Sequence, residues 1–311
     1  MKIQQTQILI SEVGPRDGLQ SLPVTMQTSA KQHWIAALAA AGLREIEVGS
    51  FVRADLLPQL ADTAELVRYA RNLAGVAVSV LVPNMRGAQR ALEAGVGKIS
   101  IPVSASEAHS LANVRKTPAQ MVEEVRAIVA LRNEQAPQVG VEVGISTAFG
   151  CTVQGTVPAA SVVRLAAELA EAGVDSCGLS DTTGYANPAQ VKQLFTLVRA
   201  EIGDLTGAAH MHNTRGLGLA NCLAAFEVGV TSFDSSQGGL GGCPYAPGAS
   251  GNVVTEDLVF MFEAMGLSTG IDLPRLLAAR TALAAGLPDT ALYGMLPEAG
   301  LPLGFQEIAY V

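Results

Sequence analysis

The sequence predicts an α/β fold closed into a (β/α)8 barrel, the TIM-barrel architecture, with a short helical extension at its C-terminus. Three observations predict it. Eight short β-rich runs alternate with eight longer, Ala-rich helical patterns. The β-rich runs are nearly continuous in apolar residues, which suits parallel strands covered on both faces. One joint recurs four times, as Ala41-Gly42-Leu43, Ala94-Gly95-Val96, Ala172-Gly173-Val174 and Val228-Gly229-Val230. Glycine there supplies the left-handed residue that ends a helix and releases the chain into a strand. The competing architecture is an open doubly wound sheet, but no G-x-G-x-x-G follows the first β-rich run.

The elements follow in order. A strand at 7–13 leads through Gly14-Pro15 to a helix at 29–41, and the Gly42 joint feeds a strand at 45–49. Helix 61–72 precedes strand 76–82, and helix 85–94 ends at Gly95 before strand 98–103. Helices 118–135, 158–172 and 188–202 each begin with proline, whose missing N–H costs nothing in a first turn. They alternate with strands at 141–148, 175–180 and 208–212. Helix 217–228, strand 232–235 and helix 255–265 close the set. Residues 273–285 read as one further helix, and 286–311 as a Gly- and Pro-rich tail. The expected division is a catalytic barrel over 1–270 and a C-terminal helix and tail over 271–311, packed on it.

The chain has 311 residues, 49% hydrophobic and 15% charged, with a formal net charge of −8. That apolar content excludes disorder. The acidic balance argues against a nucleic-acid partner, which needs clustered Lys and Arg. It leaves room for an anionic small molecule met by a local basic patch. Cys151, Cys177, Cys222 and Cys243 form no C-x-x-C pair, so neither a zinc knuckle nor a disulfide framework is expected. No secretory leader is visible, and apolar runs fall far short of the ~20 residues a membrane helix needs. The expectation is a reduced, soluble, cytoplasmic protein with no membrane partner.

In such a barrel the chemistry gathers at the C-terminal ends of the strands. The first strand delivers Arg16 and Asp17, which read either as an ion pair in a solvated turn or as a carboxylate ligand beside a cation that steadies an oxyanion. Gly18 permits a tight turn there. The second delivers Glu47, a carboxylate in an apolar strand that needs a partner, for which Arg16 is the candidate. The sixth ends at Asp181, readable as a turn residue or as a supporting carboxylate. The seventh ends in His210-Met211-His212; positions i and i+2 share a face, so both imidazoles can grip one cation. His33 reads as a helix-surface residue and His109 as a loop residue, neither with a role. Residues 238–252 hold six glycines around Cys243-Pro244-Tyr245. That segment reads as a linker, a phosphate cradle or a lid presenting Cys243. Asn252 reads as a helix cap or as an amide-oxygen ligand, with Glu256 shortly after it.

Together these stretches resemble the 3-hydroxy-3-methylglutaryl-CoA lyases, within the metal-dependent lyase and aldolase barrels. The resemblance rests on EVGPRDGLQ (12–20), IEVGSFV (46–52), SASE (104–107), LSDTTG (179–184), HMHNTRGLGLAN (210–221) and GGLGGCPYAPGASGNVVTEDLV (238–259). It implies cleavage of a 3-hydroxyacyl-CoA to acetyl-CoA and a keto acid, acetoacetate for the family's usual substrate. It implies that Asp17, His210, His212 and Asn252 hold Mg2+ or Mn2+, a choice that suits ligands without thiolate, although spacing alone also allows zinc. It further implies that a base near Asp17 takes the hydroxyl proton and that Arg16 stabilises the enolate oxygen. Cys243 or a metal-site histidine such as His210 then protonates the carbon, with Glu47, Asp181 and Glu256 in support.

The sequence departs from that family at Gly150-Cys151-Thr152-Val153-Gln154-Gly155, where Gly-Cys-Pro-Tyr-Glu-Gly is usual, and at Thr183, where isoleucine is usual. Both lie where the acyl group should bind, so citramalyl-CoA or a longer 3-hydroxyacyl-CoA remains an alternative substrate. An aldolase or Claisen-type synthase of the same superfamily, a non-enzymatic binding barrel and a Cys243 hydrolase are the competing functions. The acyl-CoA phosphates call for basic partners, drawn from Arg53, Arg86, Arg115, Lys116 and Arg215. A homodimer or higher homo-oligomer is common for such barrels, but no interface is legible.

Overall fold

The computed structural model describes residues 7–241 and 251–305. Eight parallel strands close into a barrel in sequence order. They are β1 (Leu9–Glu12), β2 (Glu45–Ser50), β3 (Ala77–Leu81), β4 (Lys98–Ser104), β5 (Gly140–Ser146), β6 (Ser176–Ser180), β7 (Thr206–His210) and β8 (Ser232–Ser235), and β8 pairs with β1. The outer ring comprises α1 (Thr28–Ala40), α2 (Thr63–Ala70), α3 (Met85–Ala94), α4 (Glu107–Val114), α5 (Pro118–Gln135), α6 (Ala159–Glu171), α7 (Pro188–Ile202), α8 (Gly218–Glu227) and α9 (Thr255–Ala264). Beyond it come α10 (Leu273–Gly286) and a short α11 (Met295–Ala299). The expected barrel is therefore present, with helices after it. Helix α10 lies along α1, tied by Asp272 N–H to the Ala41 carbonyl at 2.9 Å.

The four recurring joints do what their glycines allow. Gly42, Gly95, Gly173 and Gly229 have φ of 102°, 79°, 88° and 93°, values open to glycine at little cost. Gly18 differs: its φ is not among the positive ones, and its role is close approach, since a Cβ there would lie 2.9 Å from Leu240 Cβ.

Three expectations are corrected. The strands are not apolar on both faces. Ile99, Ile101, Val141, Val143, Leu179 and Phe233 turn outward into the helical layer, where Phe233 meets Phe262 of α9 at 4.9 Å between ring centroids. The lumen is polar instead: Lys98 of β4 reaches Glu45 of β2 at 2.5 Å and Glu142 of β5 at 3.0 Å, and Ser176 of β6 donates to Glu142. Strand β7 ends at His210, two residues earlier than expected, because His212 pairs with Asn252 rather than with a neighbouring strand. Residues 107–114, including His109, form a helix; His109 is buried there with Nδ1 2.7 Å from Ser104 Oγ.

Candidate active site

The site is assembled at the C-terminal ends of β1, β2, β6, β7 and β8. Gly14-Pro15 ends β1, and residues Gly14–Gly18 form one wide helical turn whose Asp17 N–H returns to the Val13 carbonyl at 2.7 Å. That turn buries Arg16 and Asp17 together. Arg16 Nη1 donates to Asp17 Oδ1 at 2.5 Å, while its Nε donates to Glu47 Oε2 in a short charged contact. The solvated ion-pair reading is thereby replaced by a buried Glu47–Arg16–Asp17 string. The expected partner of Glu47 is the one it finds.

His210 closes β7 and His212 follows it, with their Nε2 atoms 3.2 Å apart. His210 Nε2 lies 3.9 Å from Asp17 Oδ2. One ligand atom from each of Asp17, His210 and His212 falls within 4.8 Å of the other two. Asn252 completes the cluster, and it is not a helix cap: α9 begins at Thr255 with Val254 before it. Its Nδ2 donates to Asp17 Oδ2 at 2.7 Å and to the Leu240 carbonyl at 3.2 Å. Its Oδ1 is buried without a hydrogen-bond partner. A buried amide oxygen left bare beside a carboxylate and two imidazoles is a cost that a bound cation removes. The donor set, a carboxylate, two imidazoles and an amide oxygen, fits a divalent cation.

The electrostatics agree. Burial alone would raise the Asp17 carboxyl, but the charges of Arg16, His210 and His212 and the Asn252 amide outweigh it and hold it at about 2, so it is an anion at every working pH. Burial, reinforced by His210, pushes His212 down to about 4, which leaves a neutral ring with a lone pair to give. Burial raises Glu47 to about 7 against the pull of Arg16.

The remaining expected residues occupy different places. Asp181 follows β6; its Oδ1 caps the next turn by accepting from Tyr185 N–H (2.8 Å) and Ala186 N–H (3.1 Å), while its Oδ2 is buried and unpartnered. It is thus a turn residue that keeps one oxygen free. Glu256 stands behind the glycine segment, accepting from Gly238 N–H at 3.2 Å and Arg280 Nη1 at 2.9 Å. These contacts brace Gly238, and among the described residues neither is with the ligand cluster. Cys243 lies outside the described residues. Arg215 packs over the Tyr185 ring at 4.7 Å and donates to the Thr183 and Gly184 carbonyls, at 3.1 and 2.8 Å. Arg53 and Lys116 are paired with Asp55 and Glu124.

Two site residues were missed by sequence reasoning. Gln20 Nε2 donates to Asp17 Oδ1 at 3.0 Å. Asp234, opposite His210 in the β7–β8 register, accepts from His210 Nδ1 at 3.0 Å. The one sequence signal for Asp234 is a lone carboxylate in the last strand, four positions before the glycine segment begins at Gly238.

A closed barrel with a carboxylate, two imidazoles and an amide oxygen converging at its C-terminal mouth belongs to the class of metal-assisted barrel enzymes. Comparison with known proteins narrows the class. Residues 7–283 match the HMGL-like family model, and the chain belongs to that family. A hydroxymethylglutaryl-CoA lyase of Bacillus subtilis is 41% identical over 272 residues, covering 88% of this chain and 90% of that protein. An (R)-citramalyl-CoA lyase of Chloroflexus aurantiacus is 38% identical, covering 92% and 94%. Among solved structures, an HMG-CoA lyase from Acenitobacter baumannii in complex with coenzyme A and 3-methylmalate superposes with a TM-score of 0.91 at 39% identity, over 99% of this chain and 100% of that one.

Proposed function

We propose that this protein is a divalent-metal-dependent carbon–carbon lyase that cleaves 3-hydroxy-3-methylglutaryl-CoA to acetyl-CoA and acetoacetate. One observation carries the reading: Asp17, His210, His212 and the bare Asn252 oxygen converge beside the buried Arg16–Glu47 pair. Those four residues would hold Mg2+ or Mn2+, which supplies Lewis-acid polarisation of the substrate's 3-hydroxyl.

The chain's own groups do the rest. Arg16, pinned by Glu47 and Asp17, presents its guanidinium to the thioester oxygen as that oxygen gains charge. Asp181, with one oxygen unpartnered and its carboxyl raised by burial to about 6, is the proposed acceptor of the hydroxyl proton, ahead of Glu47, which Arg16 engages. As the C2–C3 bond breaks, its electron pair passes into the acetyl-CoA enolate and C3 becomes the ketone of acetoacetate. Cys243 is the proposed donor of the proton that C2 then takes, with His210 as the other candidate. Glu256 holds Gly238, where the glycine segment begins. The CoA phosphates are assigned to the basic residues at the mouth, Arg215 foremost.

A second substrate has a specific observation behind it. The divergent segments after β5 and β6 bond to one another, Thr147 N–H to Thr182 Oγ1 at 2.8 Å and Thr183 Oγ1 to the Gly150 carbonyl at 3.1 Å. A wall built differently admits a different acyl group, and citramalyl-CoA is the one named by a relative. Parallel assays on both thioesters decide: a kcat/KM preference for citramalyl-CoA would replace the proposed substrate and keep the reaction type. The compartment is proposed as cytoplasmic and the working form as a homo-oligomer; among the described residues no helix is long and apolar enough to cross a membrane.

A further inference from the structure

We infer that Asp234 is a positioning residue for the metal centre: its contact with His210 Nδ1 turns that ring so that Nε2 faces Asp17 and His212. The inference rests on the proposed metal site and adds a residue to it. Three features of the geometry carry it.

The first is the register. Asp234 stands opposite His210 across the β7–β8 ladder, so the backbone pairing itself sets the contact. Phe233 and Ser235 on either side are buried, and Phe233 packs on Phe262, so strand alternation turns Asp234 to the lumen, where His210 is. The second is the tautomer. Donation of Nδ1–H to the carboxylate at 3.0 Å leaves Nε2 as the atom by which a neutral His210 ligates, and it lies 3.2 Å from His212 Nε2 and 3.9 Å from Asp17 Oδ2. A carboxylate behind a ligating imidazole fixes its orientation and makes it a better donor. The third is asymmetry. His212 Nδ1 is buried with no hydrogen-bond partner, so only one of the two rings has a carboxylate behind it among the described residues. His210 is therefore the orientationally fixed ligand, and His212 takes its position from the Asn252 pairing instead.

The test is a Mn2+ titration followed by electron paramagnetic resonance, on the full chain without substrate. Asp234→Ala removes the support, Asp234→Asn keeps its shape without the charge, and Ser232→Ala on the same strand controls for disturbance of β8. The expected result is a roughly 10- to 100-fold weaker Mn2+ affinity for Asp234→Ala, a smaller loss for Asp234→Asn and wild-type affinity for Ser232→Ala. Either Asp234 variant, folded by circular dichroism and binding Mn2+ as tightly as wild type, overturns the inference. Equal losses for Ser232→Ala and Asp234→Ala overturn it too, by making the effect one of strand packing. A wild-type protein that binds no Mn2+ or Mg2+ at all overturns the metal site itself, a separate failure.

Discussion

Asp17 carries three demands at once: it pairs with Arg16, accepts from Gln20 and Asn252, and faces His210. Asp17→Asn removes the ligand charge with little change of shape, so Mn2+ affinity and turnover should both fall by orders of magnitude; a folded variant with wild-type values of either would refute its role. Arg16→Lys keeps the charge but not the planar fork that spans Glu47 and Asp17. Loss of one transition-state donor typically costs about 100- to 1,000-fold in kcat, so kcat should fall by that order with KM nearly unchanged. A change confined to KM would place Arg16 in ground-state binding. The clustered residues Asp17, His210 and His212 were legible because rare residue types stand in short, local patterns, Arg-Asp after Gly-Pro and His-x-His at a strand end. Asp234 and Gln20 were not, because neither has a local pattern: each is defined by a partner that folding brings near. The separate environments of the two Asp181 oxygens, one capping a turn and one buried without a partner, are likewise a product of folding that no local pattern announces.

At the scale of elements, the turn after β1 and the segment after β8 are fitted to one another through glycines and a buried carboxylate. Glu12 accepts from Gly14 N–H (2.8 Å), Gln237 N–H (2.9 Å) and Thr255 Oγ1 (2.7 Å), tying the end of β1 to the start of α9. A Cβ on Gly14 would stand 2.5 Å from Glu12 Oε1, so Gly14→Ala should destabilise the protein by about 1–3 kcal/mol, an overpacking cost; thermal unfolding checks it. Burial raises the Glu12 carboxyl from 4.5 to about 8 in spite of those donors. Between these values the folded state holds a proton that the unfolded chain has lost. Stability from this group is thus complete below 4.5 and is lost as pH rises through 8, at up to about 1.4 kcal/mol per pH unit. Glu12→Gln should flatten the decline of melting temperature between pH 5 and 8, and parallel curves for the two proteins would contradict the shift. Element order and type were readable from proline starts and glycine stops. Boundaries at the mouth were not, since there His212 and Asn252 pair with each other and end β7 early.

Across the whole molecule, the apolar layer lies between barrel and helices, and the lumen is given over to charge. A continuous apolar run does not reveal this, because the Ser, Gly and Pro of the inward positions interrupt it too weakly to be seen. Lys98 shows the consequence. It answers two carboxylates from β2 and β5 across the lumen, so Lys98→Met leaves both without their cation and should cost about 3–5 kcal/mol, read by chemical denaturation. A loss under 1 kcal/mol would mean that water already screens the trio. The barrel itself was legible from its repeated joints because each joint is a local event, whereas the polar lumen is a property of closure.

The most direct test of the whole account is a coupled assay of the purified protein on 3-hydroxy-3-methylglutaryl-CoA after EDTA treatment, with Mg2+ or Mn2+ then restored. The account predicts no turnover in EDTA and recovery of acetyl-CoA and acetoacetate together on adding metal. Full turnover in EDTA, or none with the metal bound and citramalyl-CoA also untouched, would contradict it.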